Sequence, residues 1–61
     1  MIKVYLKNGN ISIYASSRYY LIDKGYYFAL YSRNLKYGYI GQYYYDELDK
    51  IIVNDEIIFD N

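Results

Sequence analysis

The sequence predicts an all-β fold: a small antiparallel meander or SH3-like half-barrel of six or seven short strands, in one domain spanning residues 1–61. Three observations carry that reading. Apolar and polar residues alternate with a period of two along most of the chain, the spacing that sends successive side chains to opposite faces of a strand. Turn signals interrupt the alternation about every 8–12 residues, too often for helices of ordinary length. Twelve tyrosines and nine isoleucines are side chains that suit a pleated, half-buried surface.

Taken in order, Ile2, Val4 and Leu6 alternate with Lys3, Tyr5 and Lys7, which predicts a first strand. Asn8-Gly9 follows, a strong hairpin signal, because a type I′ turn needs positive φ at both central residues. Ile11, Ile13 and Ala15 then alternate with Ser12 and Tyr14. A two-residue loop pairs Leu6 with Ile11, Val4 with Ile13, Tyr5 with Ser12 and Lys3 with Tyr14, so that apolar meets apolar. Ser16-Ser17 marks a bend, Arg18–Ile22 a third strand, and Asp23-Lys24-Gly25 a turn in which glycine supplies the left-handed residue. Tyr26–Tyr31 reads as a fourth strand, with Tyr26, Phe28 and Leu30 on one face and Tyr27, Ala29 and Tyr31 on the other. After a turn at Arg33-Asn34, Lys36–Tyr45 reads as a long fifth strand in which Gly38 and Gly41 invite a bulge. Asp46–Lys50 breaks the alternation and suits one helical turn capped by Asp46. Ile51–Val53 and Glu56–Phe59 form a last hairpin about Asn54-Asp55, pairing Ile52 with Ile57.

Sixty-one residues without cysteine or histidine can be stapled neither by a disulfide nor by a zinc site. A single core of this size seldom supplies more than about 3–5 kcal/mol. Large side chains or a second copy of the chain must make up the difference, so a homodimer is expected. Met1–Leu6 alternates where a signal peptide would run apolar, and no stretch approaches the roughly 20 apolar residues of a membrane helix. The expected location is therefore the cytoplasm, with no membrane partner. Formal net charge is zero but unevenly spread. Residues 1–42 carry six basic side chains against the single acid Asp23, whereas residues 43–61 carry six acids against Lys50. Such asymmetry makes either two surfaces of opposite sign or two halves that attract each other within one fold.

Catalytic chemistry is not expected. General acid–base catalysis usually employs histidine or paired buried carboxylates. Asp46, Glu47 and Asp49 cluster instead on a turn, where acids complement a helix start. The serines lack a base to activate them, and no phosphate-cradling G-x-x-x-x-G-K-[ST] loop is present. No cofactor and no metal are implied.

The tyrosines carry the functional reading, because twelve exceed what one small core can hold. A competing explanation needs no function: tyrosine, isoleucine, lysine and asparagine all have AT-rich codons, so an AT-rich genome would raise them together. On strict alternation Tyr5 and Tyr14 face outward on the first hairpin, as do Tyr27 and Tyr31 on the fourth strand. Tyr37, Tyr39, Tyr43 and Tyr45 share the outer face of the fifth, opposite a buried Ile40. With Arg33 and Lys36 flanking them, Tyr27, Tyr31, Tyr37, Tyr39 and Tyr43 make one candidate partner-binding patch. A bulge at Gly41 would exchange the faces of residues 43–45 and bring Tyr44 into it.

The segment Ile40–Val53, with Tyr45-Asp46-Glu47-Leu48 between a strand and an isoleucine-rich strand, resembles the end of many small β proteins of low-GC Firmicutes and their phages. That resemblance implies a mobile-element accessory protein, a class that includes inhibitors of host defences such as anti-CRISPR proteins. The expectation is a non-catalytic module that blocks a host protein by occluding a surface. The alternative is a nucleic-acid or nucleotide binder, with tyrosines stacking on bases and Lys3, Lys7, Arg18, Arg33 and Lys36 meeting phosphates. Zero net charge weighs against it.

Overall fold

A computed structural model describes every residue from Met1 to Asn61. Seven strands follow in chain order: β1 (Ile2–Leu6), β2 (Ile11–Tyr14), β3 (Tyr19–Asp23), β4 (Tyr27–Ser32), β5 (Tyr39–Tyr44), β6 (Leu48–Val53) and β7 (Glu56–Asp60), with a 3-10 turn, Tyr45–Glu47, before β6. The chain is thus all-β, as expected. All pairings are antiparallel, and they build two open sheets, ordered β2-β1-β6-β7 and β3-β4-β5. One pairing departs from a neighbour-to-neighbour meander: β1 lies against β6 and zips the first hairpin to the last. No helix is long and apolar enough to cross a membrane.

The core lies between the sheets. Ile2 and Val4 of β1, Leu48 and Ile51 of β6 and Phe28 of β4 are buried, and Leu6, Tyr14, Tyr19, Leu21, Tyr43, Tyr45, Val53 and Phe59 pack around them. Phe28 bridges the layers, its ring 5.5 Å from Phe59 edge-on and 5.6 Å from Tyr45. Aromatic pairs of this kind contribute about 0.5–1.5 kcal/mol beyond the area they bury. They matter here because only seven residues are fully buried. The fold is still tight: the accessible surface of 4226 Å² is close to the roughly 4,200 Å² that scaling assigns a folded monomer of this mass.

The last hairpin forms as the sequence indicates. Asn54 and Asp55 take φ of 50° and 68°, the two positive values of a type I′ turn, and Ile52 stands opposite Ile57. A bulge then follows between Ile51 and Ile52, so that Ile51 meets Phe59.

The first hairpin forms in a different register from the one expected. The Gly9 N–H donates to the Leu6 carbonyl at 3.0 Å and the Leu6 N–H to the Asn10 carbonyl at 2.9 Å. Lys7-Asn8-Gly9 is therefore a three-residue loop in which Gly9 alone has positive φ, +92°. Such loops join a type I turn to a left-handed glycine. The extra residue shifts every partner by one: Ile2 faces Tyr14, Val4 faces Ser12 and Tyr5 faces Ile11. A one-residue slip turns a strand over, so Ile11 and Ile13 are exposed and Tyr14 points inward. The larger side chain fills the gap between sheets, and its hydroxyl meets that of Tyr43.

Element boundaries also move. The helical turn starts at Tyr45, one residue before its expected Asp46 cap, and the Glu47 carboxylate accepts the Tyr44 N–H at 2.9 Å. It ends at Glu47 because Leu48 is fully buried and begins β6. Strand β5 starts at Tyr39 rather than Lys36. The Asn34 carbonyl accepts both the Tyr37 and Gly38 N–H groups, at 3.0 and 3.3 Å, and Gly38 takes a φ of 57°, which folds Lys36 and Tyr37 into the turn.

Candidate partner-binding face

Alternation along β4 sends Phe28 and Leu30 to the core and Tyr27, Ala29 and Tyr31 to the outer face of the three-stranded sheet. Ala29 lies at the centre of that face, between Ile22 of β3 and Gln42 of β5. It is only 1% exposed. A small residue in the middle of a strand leaves room for large neighbours to lean over it.

The cross-strand pairs are aromatic. Tyr20 stacks on Tyr31, with centroids 5.4 Å apart and planes within 15°. Tyr31 also meets Tyr39 edge-on at 5.8 Å, and Tyr27 meets Tyr44 at 5.7 Å. Tyr26, just before β4, closes one end against Tyr27 and Tyr44. Gln42 ties the far strand together: the Tyr39 hydroxyl donates to its Oε1 at 3.0 Å and its Nε2 donates to the Tyr44 hydroxyl at 2.6 Å. At the opposite end the Arg33 guanidinium sits 5.2 Å from the Tyr20 ring centroid, while its Nε donates to the Ser16 carbonyl at 3.1 Å. The result is a row of mutually braced rings with a cation at its edge. Asp23, the only acid before residue 46, is held apart by hydrogen bonds from the Tyr45 hydroxyl and the Gly25 N–H. Those two bonds, the phenol's first, hold its carboxyl below the usual carboxylate range.

Of the seven residues picked from the sequence, the structure brings Tyr27, Tyr31 and Tyr39 onto this face and places Arg33 at its edge. Lys36 and Tyr37 stand beyond it in the β4–β5 turn, the Lys36 amino group 5.9 Å from the Tyr37 ring. Tyr43 leaves the patch. The register shifts between Leu30 and Tyr31, where Leu30 pairs with Gly41 and Tyr31 with Tyr39. Ile40 is the extra residue. Beyond this bulge the faces exchange: Tyr43 turns inward opposite Phe28, and Tyr44 turns outward. Ile40, expected in the core, is 47% exposed, because a bulged residue has no place in the alternation. Tyr14, expected outward, is core for the register reason given above.

Sequence reasoning missed Tyr20, Tyr26 and Gln42. Tyr20 had a signal, since alternation along Arg18–Ile22 sets it with Ile22. Tyr26 had none, because its ring returns over the face from outside the strand. The face holds no pair of reactive groups, and no cluster of three or more metal-ligating side chains exists in the chain. Comparison with family models, curated proteins and solved structures finds no match, so the site is read from its own geometry.

Proposed function

We propose that this chain is a non-catalytic protein-binding module whose contact surface is the tyrosine face of the β3–β4–β5 sheet. One observation carries the proposal: six tyrosines, at 20, 26, 27, 31, 39 and 44, are linked ring to ring on a face with no charged side chain at its centre. Protein interfaces concentrate aromatic residues and deplete charge in just that central region. Rings that already brace one another lose little freedom on binding, which favours affinity. The resemblance to small phage-encoded β proteins fits a module that inhibits its partner by covering a surface.

Self-association belongs to the same reading. On the outer face of the four-stranded sheet, Ile13, Lys3, Ile52 and Ile57 form one cross-strand row, and Ile11, Tyr5, Lys50 and Asp60 form the next. A two-fold-related copy can set Lys50 against Asp60 while covering exposed isoleucines on both sides.

The test is affinity capture from lysate of the source organism by the full chain and by Tyr39→Ala and Tyr44→Ala variants. The expected outcome is a protein partner retained after nuclease and in high salt. Each variant should weaken its binding more than about tenfold, since interface energy concentrates in a few aromatic residues. Capture that disappears with nuclease, or that neither variant changes, overturns the proposal.

A further inference from the structure

A cleft of about 340 Å³ opens at the end of the three-stranded sheet where the β2–β3 and β4–β5 turns meet. Ser17, Arg18, Ser32, Arg33, Asn34 and Tyr37 are among its lining residues, and no carboxylate is. The two turns are locked together by the Arg33 N–H, which donates to the Arg18 carbonyl at 2.8 Å.

Four acceptors of this cleft are engaged within the chain, and no carboxylate adds another. The Arg18 carbonyl takes Arg33 N–H, and the Asn34 carbonyl takes Tyr37 and Gly38 N–H. The Ser32 hydroxyl oxygen accepts the Asn34 N–H at 3.1 Å, and Asn34 Oδ1 accepts the Lys36 N–H at 3.0 Å. Beside them stand donors with no partner in the chain: the Arg18 guanidinium, the Arg33 amino groups, the Ser17 and Ser32 hydroxyls and the Asn34 side-chain amide. Arg33 is held by its Nε on Ser16 and by its face on Tyr20, so its outer edge is preorganised.

We infer that this cleft is a binding site for the phosphate group of a small molecule. Two guanidinium forks and three further donors exceed what the two oxygens of a carboxylate can use. They suit the three terminal oxygens of a phosphate monoester, which arginine binds in bidentate fashion. The exposed Tyr37 ring on the cleft wall offers an apolar surface to whatever carries the phosphate. The cleft shares Arg33 with the edge of the tyrosine face, but phosphate binding and partner binding are separate readouts, so either reading can fail alone.

The test uses the full ¹⁵N-labelled chain, following arginine Nε–Hε and backbone resonances. Inorganic phosphate is titrated first, then adenosine monophosphate, each against sodium chloride at matched ionic strength. Saturable shifts at Arg18 and Arg33 with phosphate, absent with chloride, are expected. Arg18→Met, which removes no side-chain hydrogen bond within the fold, should weaken phosphate about tenfold, the loss of one charge-assisted hydrogen bond. Arg18→Lys should fall between, keeping charge without the fork. Tighter binding of the nucleotide that Tyr37→Ala abolishes assigns the site to a nucleotide, and equal binding assigns it to free phosphate. Chloride shifts equal to those of phosphate, or a phosphate titration unchanged in Arg18→Met, overturn the inference. So does a single-stranded oligonucleotide that binds far more tightly than the monophosphate, which would assign the cleft to a nucleic-acid strand.

Discussion

Tyr14 and Tyr43 face each other between the sheets through their hydroxyls. Burial, followed by the hydrogen bond to Tyr43, pushes the Tyr14 phenol up to about 12 from an ordinary 10.0. A folded-state pKa above the unfolded one means that the native state holds its proton more tightly. The corresponding stability is complete below pH 10 and is lost as pH rises from 10 towards 12. Absorbance titration of tyrosinate should show a final ionisation near pH 12 that disappears in Tyr14→Phe. A core identity can be checked the same way, one side chain at a time. Ile51→Ala should cost about 2–5 kcal/mol, since Ile51 is fully buried and deletion leaves a cavity. Ile40→Ala and, measured on the monomer, Ile13→Ala should each stay within about 0.5 kcal/mol, as exposed positions do. Denaturant unfolding of the three variants distinguishes this register from its one-residue neighbour, in which Ile13 would be core.

At the scale of elements, the two β-hairpins of the four-stranded sheet reverse the roles their turn residues suggest. Asn8-Gly9 sits in a three-residue loop that needs one left-handed residue, and Asn54-Asp55 makes the two-residue turn that needs two. Gly9→Val therefore places a β-branched residue at φ +92° and should cost about 1–2 kcal/mol or more. Asp55→Gly relieves a left-handed residue at φ 68° and should be neutral or stabilising by up to about 1 kcal/mol. Its gain is limited by the added flexibility of the unfolded chain. Thermal melts of both variants check the pair. An unchanged melting temperature in Gly9→Val would contradict the turn. The bulge at Ile40 acts on a second element in the same way, because one unpaired residue exchanges the faces of everything in β5 beyond it.

For the whole molecule, the consequence is a thin core between two open sheets with four edge strands, β2, β7, β3 and β5. Unpaired edges and an isoleucine-rich outer face favour association. Sedimentation at micromolar concentration should show a dimer or larger assembly, with a melting temperature that rises with concentration. Ile57→Asp, on the exposed row, should shift the chain to monomer without unfolding it. A 7.4 kDa species at every concentration, with a constant melting temperature, would contradict self-association while leaving the tyrosine-face reading untouched.

Period-two alternation and turn chemistry together determined the all-β class, a count of six or seven short strands, the Asn54-Asp55 hairpin with Ile52 opposite Ile57, and the outward direction of Tyr27 and Tyr31. These are local properties, set by a few adjacent residues. Face assignments beyond a loop or bulge were not legible, because Asn-Gly serves two loop lengths and one residue more or less inverts a strand. Which inversion holds is decided by distant partners: Tyr14 is core because Tyr43 lies across the gap from it, and Tyr43 is there because Ile40 bulges out of β5. The pairing of β1 with β6 brings together residues nearly fifty positions apart, which no local pattern specifies. The Arg18–Arg33 cleft likewise exists only because two turns meet at one end of a sheet. Burial selects among registers that the local pattern leaves nearly equal, and burial is a property of the assembled molecule.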